Sequence, residues 1–265
     1  MNDKTIINKR LGRLPAKVDP RTLRFANYAK ALPPPPAQAG YISEVTSWPM
    51  FLNDQVGDCT IAAAAHMIQQ WTTYASPTPA VPTDSEVLKA YEAVSGYVPG
   101  DESTDNGAVM LDVLKYWKKT GIAGHKVAAY VSVSVSNPSE IQQAVQLFGN
   151  CYIGVNLPID AQNPIQGANG LQCWSMPSEG PVGDGAPSSW GGHCVPIVGY
   201  GSDWKGNRGV EVVTWGQLYD VTWGWLGLYL SEAWAVLSTD WVEKNGDSPS
   251  GFNLAQLQAD LAQIK

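Results

Sequence analysis

Asn53-Asp54-Gln55-Val56-Gly57-Asp58-Cys59-Thr60, running straight into the alanine-rich Ile61 to Trp71, is the stretch around which the rest of the chain is organised. A glycine, an acidic residue and then an Ala/Ile/Met run predict a loop that turns into a helix, with Asp58 as the N-cap and Cys59 in the first turn. That setting suits a reactive thiol, because unpaired backbone N–H groups and the positive end of the helix dipole favour thiolate over thiol. Gln55, four residues upstream of the cysteine, is placed to aim its amide donors at an oxyanion forming beside Cys59. Such a nucleophile still needs a base. His66 shares a helix face with Cys59, Ala62 and Ala63, but it lies roughly 10 Å further along the axis and reads as a core histidine.

Working outward, 265 residues with 44% hydrophobic content suffice for a full core, as one large domain or as two lobes around a cleft. A net charge of -7 and a pI near 4.9 speak against nucleic acid or an anionic membrane as partner. The first thirty residues carry Lys4, Lys9, Arg10, Arg13 and Lys17 but no apolar core of a signal peptide, and no apolar run reaches membrane-spanning length. The expectation is a cytoplasmic protein, with association with a virion or other particle as the alternative. Cys59, Cys151, Cys173 and Cys194 are too widely and irregularly spaced for a disulfide framework or a zinc ribbon. The single His193-Cys194 pair lacks the second pair of a closed zinc site, so neither metal nor cofactor is expected.

Residues 1–52 read as an extended, proline-rich arm strapped across the surface, with Pro33 to Pro36 favouring polyproline II. Trp48 to Leu52 supplies apolar bulk to dock it. Thr83-Asp84-Ser85-Glu86 opens a second helix with capping chemistry. A third carries Met110, Val113, Leu114 and Trp117 on one face and ends at Gly121. Residues 53–125 are therefore mainly helical. From Val127 the period changes to two, with Val/Ser alternation up to Val135. Asn137-Pro138 starts a short helix, and Cys151 to Leu157 is a buried strand. Residues 159–192 form a long Gly/Pro-rich connection of the kind that wraps a site. Gly191 to Gly201 is a strand entered by His193, in which Pro196 implies an edge or a bulge. Val210 to Trp215 and Ala233 to Leu237 are further strands, making 126–245 mainly β, and 246–265 fits an amphipathic C-terminal helix.

The order Gln-x-Gly-x-Cys at a helix start, then a Gly/Asn loop, then Gly-His-x-Val-x-x-Val-Gly-Tyr-Gly and a later Trp-Gly resembles the papain-like cysteine peptidases. His193 follows Cys59 by 134 residues, within the range of that arrangement. The resemblance implies an α+β fold over 53–265, a helical lobe and an antiparallel β-barrel-like lobe with a cleft between them. It also implies cleavage of amide bonds in a peptide or protein. Cys59 would be the nucleophile, His193 its base and acid, and Gln55 with the Cys59 N–H the oxyanion hole. Asn106 and Gly107 would hold the peptide backbone, and Trp215 would shield His193. Two positions depart from the pattern. Gln55 is four residues before the cysteine where the family has its glutamine six before. Val213 stands where the family has an asparagine that orients the histidine; Thr214, Gln217 and Asp220 are the substitutes, although strand alternation sets Thr214 on the opposite face from Trp215. The competing readings are a non-catalytic papain-fold binding or particle-associated structural protein, favoured by Val213 and by any arm that fills the cleft, and another Cys–His acyl transferase or cell-wall amidase.

Overall fold

The computed structural model describes residues 8–29, 34–76, 78–167, 170–204 and 207–241, so the expected helix over 246–265 lies outside the described residues. In chain order the elements are α1 (Ala26–Ala29), β1 (Ala39–Gly40), α2 (Cys59–Ala75), α3 (Asp84–Ser95), α4 (Met110–Lys119) and β2 (Val127–Ser132). There follow α5 (Pro138–Phe148), β3 (Cys151–Leu157), β4 (Ile165–Gln166), β5 (Gln172–Trp174), β6 (Gly191–Trp204), β7 (Asn207–Thr214), β8 (Gln217–Thr222), α6 (Trp223–Tyr229) and β9 (Leu230–Ser238).

Local chemistry explains most boundaries. The Thr83 and Glu86 side chains make a reciprocal capping box at α3, and Gly96 closes that helix in the left-handed conformation at φ 77°. The β2 strand ends earlier than the Val/Ser alternation predicts. Its continuation is diverted because the Ser134 N–H donates to the Glu140 carboxylate at 3.1 Å, turning the chain into α5. Pro196 is tolerated because β6 is paired with β3 from Gly191 to Ile197 but meets β7 only from Ile197 onward. Among the elements not legible in the sequence are α6 and β8. α6, Trp-Gly-Trp-Leu-Gly-Leu-Tyr, carries two glycines and starts because Thr222 caps the Trp225 N–H. β8 follows β7 through the two-residue turn Trp215-Gly216, both at positive φ (44° and 70°), a hairpin in which tryptophan sits where Asn or Asp is usual.

The strands form an open sheet in the order β2-β9-β3-β6-β7-β8-β5-β4, with β1 added on β6. The sheet does not close, so the barrel-like expectation gives way to an open sheet. Alternation along β3 divides two cores: Cys151, Ile153, Val155 and Leu157 face one with α5 and α6, whereas Tyr152 faces the other with α2, α3 and α4. Burying the side chains of Ile61, Met67, Ile68 and Trp71 on α2 stabilises the lobe contact by roughly 1.5–3 kcal/mol each. Hydrogen bonds fix its register. The Tyr152 hydroxyl donates to Thr60 O at 2.7 Å, and the Trp71 indole to Phe148 O at 2.6 Å.

The arm does not stay on the surface. Leu23 to Phe25 adds to the edge of β2 through Ser132, with Phe25 buried in the sheet-side core. Upstream of that, residues 10–14 run inside the cleft between the two lobes. The reason is geometric: Gly12 has no side chain, and a Cβ there would run into the Gly57 carbonyl.

Candidate active site

The loop before α2 is held by two consecutive left-handed residues, Phe51 (φ 55°) and Leu52 (φ 66°). Such conformations cost about 1–3 kcal/mol each for ordinary residues. Here they are offset by burial of Phe51 and by the Gln55 and Val56 N–H groups, which both donate to Leu52 O. The turn points Asn53 inward. Its amide donates to Asp58 Oδ1 at 3.1 Å and to Val56 O at 3.4 Å. Asp58 occupies the N-cap position, but its side chain caps nothing; burial raises its carboxyl well above the usual range.

Cys59 opens α2 as expected, and it is buried. Burial pushes its thiol up to about 12, against a smaller downward pull from the Cys194 and Gly12 backbone. Cys194 of β6 packs in the same core as Cys59, and His193 is the residue before it on that strand. All four cysteines are free.

His193 Nε2 lies 2.7 Å from Thr214 Oγ1, and its buried Nδ1 makes no hydrogen bond. The imidazole stacks on the Trp215 indole with 4.4 Å between centroids and 14° between planes. Strand alternation misled the sequence reading here. It separates Thr214 from Trp215 only while the strand continues, and Trp215 already belongs to the turn, so both side chains reach the same imidazole. Burial, followed by the positive charges of Arg13 and Lys9, lowers His193 to about 3. With the arm in place, both cysteine and histidine are therefore neutral.

The cleft walls are Ala108 on the helical side and Gly192 on the sheet side. Ala108 N–H donates to Gly12 O at 2.8 Å, Leu14 N–H donates to Ala108 O at 3.0 Å, and Arg13 N–H donates to Gly192 O at 3.1 Å. The Trp215 indole donates to Arg10 O at 3.2 Å, and Lys9 lies 5.0 Å over the same ring. Asp105 ties the wall to the loop before α2. Its carboxylate accepts the Gly57 N–H at 3.0 Å and the Tyr91 hydroxyl at 2.5 Å, while the Gly107 N–H donates to that same hydroxyl.

His193 stacks on Trp215 beside Lys9 and Arg10, and Cys59, Thr214 and Trp215 border one small space. Gln55 is exposed. Asn53, six residues before Cys59, is the buried amide that borders the small space beside the sulfur together with Ala62, Ala63, His66 and Thr214. Sequence reading passed over Asn53 even though its spacing matched the family's glutamine. Asn106 is exposed and donates to Ser103 O at 3.1 Å. Gly107 packs against Gly12, but the backbone pairing with the arm is made by its neighbour Ala108. His66 is a core histidine, its Nε2 2.8 Å from Pro49 O and its ring between Trp48 and Phe51. Among the described residues no cluster of His, Cys, Asp and Glu is arranged to hold a metal, and no helix is long and apolar enough to cross a membrane.

This arrangement, a helical lobe opening on a cysteine and an open sheet carrying a histidine across a cleft, is the papain-like fold. Among solved structures, xylellain, a cysteine protease from Xylella fastidiosa, aligns with a TM-score of 0.62 at 14% identity, over 88% of this chain and 97% of that one. Procathepsin B S9 from Trypanosoma congolense aligns with a TM-score of 0.58 at 12% identity, over 90% of each chain. The cysteine protease and lectin-like domains of Cwp84 from Clostridium difficile align at 0.57 and 10% identity, over 89% of this chain and 57% of that one. By sequence, no family model and no curated protein matches the chain.

Proposed function

We propose that the protein is a cysteine peptidase or amidase of the Cys–His type, held closed by its own residues 10–14. The observation that carries this reading is the way the groove is filled. The arm's main chain occupies it through backbone hydrogen bonds to Ala108 and Gly192, the kind an extended peptide makes, so the groove is built for peptide.

Once the arm withdraws, His193 Nδ1 is the nitrogen available to take the Cys59 proton, while Thr214 holds Nε2. The sulfur then forms a bond to an amide carbonyl carbon, and the oxyanion takes hydrogen bonds from the Cys59 N–H and a side-chain amide. Gln55 would have to swing inward to serve. Asn53 is the nearer donor. His193 gives its proton to the leaving amine, and water releases the acyl group and restores the thiol. Loss of one oxyanion donor typically costs about 10²–10³ in rate, so Asn53→Ala and Gln55→Ala compared side by side identify which amide acts.

A second reading, a papain-fold protein that binds without cleaving, draws support from the buried, neutral Cys59 and His193 beneath the arm. Turnover decides between them. Peptide-library cleavage by the full chain and by Gly12→Ala, with Cys59→Ala as control, is expected to show products that depend on Cys59. No such products from either protein would establish the binding reading.

A further inference from the structure

The arm's side chain inside the cleft sits in a recess shaped for it. Arg13 is 7% exposed, and its guanidinium donates to Asn156 Oδ1 at 2.5 Å and to Val155 O at 3.4 Å. It lies 3.8 Å from the Glu232 carboxylate, itself buried, whose other oxygen accepts the Trp234 indole N–H at 2.8 Å. The floor is Gly154, paired in register with Glu232 across β3 and β9. A Cβ on Gly154 would lie 2.7 Å from Arg13 Cδ and 2.8 Å from the Met110 sulfur, so only glycine leaves room for a long side chain. Leaving a buried carboxylate such as Glu232 without a cation is strongly unfavourable. A planar guanidinium sets its charge 3.8 Å from the carboxylate while it hydrogen-bonds the Asn156 amide oxygen and the Val155 carbonyl, a combination that an apolar chain cannot make.

We infer that the recess formed by Gly154, Asn156 and Glu232 is a specificity pocket for arginine, and that the peptides this cleft accepts present an arginine there once Arg13 has left. Arg13 is then the occupant in cis of the site that chooses ligands in trans. As a statement about substrates this rests on the peptidase reading above. As a statement about which peptide the cleft binds it does not.

The test separates the two. Full-chain Gly12→Ala protein, whose arm seats less favourably, is alkylated at Cys59 by iodoacetamide in the presence of alanine hexapeptides carrying a single arginine, leucine or glutamate. The arginine peptide is expected to protect Cys59 at concentrations about tenfold or more below those needed of the other two, the range of a desolvated charge-assisted contact. In Glu232→Gln that preference should fall to about twofold or less. In Asn156→Ala, a half-buried position that leaves the core intact, it should fall part of the way. Equal protection by the three peptides, or an arginine preference that survives both substitutions, overturns the inference. Cleavage of the same peptides is scored separately, so loss of turnover with retained arginine protection would sink the peptidase reading and leave the pocket standing.

Discussion

Thr214 Oγ1 and His193 Nε2 are 2.7 Å apart, and on the peptidase reading this contact orients the imidazole where Val213 has no polar atom to do so. It leaves Nδ1 unpartnered and presents the ring flat against Trp215. Thr214→Val keeps the volume and removes the hydrogen bond. Loss of such a contact to a buried group costs about 1–3 kcal/mol, so on the peptidase reading kcat of the opened protein should fall about 10- to 100-fold with little change in KM. Steady-state kinetics beside a circular dichroism melt checks this, and an unchanged kcat would remove Thr214 from the site.

Gly12→Ala should open the cleft. A methyl at residue 12 meets the Gly57 carbonyl, which is backbone and cannot swing aside. Overpacking of this kind costs about 1–3 kcal/mol, shifting the closed-to-open balance by about tenfold or more. Iodoacetamide should then label Cys59 at least about ten times faster than in the parent chain, while the buried Cys151, Cys173 and Cys194 stay slow. Mass spectrometry of the four cysteine peptides reads the result.

Acid should destabilise the helical lobe through His66. Burial lowers this histidine from the ordinary 6.5 to about 4, so between those values the unfolded chain binds a proton that the folded one does not. The associated stability is fully present above about pH 6.5 and is lost as pH falls toward 4, a contribution of about 3 kcal/mol. Urea melts at pH 7 and pH 4.5 should show His66→Asn losing less stability over that interval than the parent.

Tyr91→Phe should weaken the wall of the cleft. The hydroxyl accepts the buried Gly107 N–H and donates to Asp105, and its loss leaves that N–H without a partner. The expected cost is about 1–3 kcal/mol in a urea melt, with faster Cys59 alkylation because Asp105 also holds the Gly57 N–H.

Sequence alone determined the local units. The Thr83 capping box, the Pro138 helix start, the apolar run of Cys151 to Leu157 and the cysteine at a helix start are properties of a few neighbouring residues, and each appears where its chemistry predicts. The order of cysteine, Gly/Asn loop and histidine pointed to the fold that solved structures at 10–14% identity share. Tertiary structure alone decided what those units meet. Thr214 reached His193 because a turn at positive φ interrupts alternation, which no period-two pattern encodes. Asn53 came inward, and Gln55 outward, through two left-handed residues with ordinary apolar side chains. The arm entered the cleft because Gly12, Gly57 and Gly107 interlock without side chains and Glu232 awaits a guanidinium from 219 positions earlier in the chain. Contacts of such sequence separation depend on the shape of both lobes at once, and that shape exists only after they have folded together.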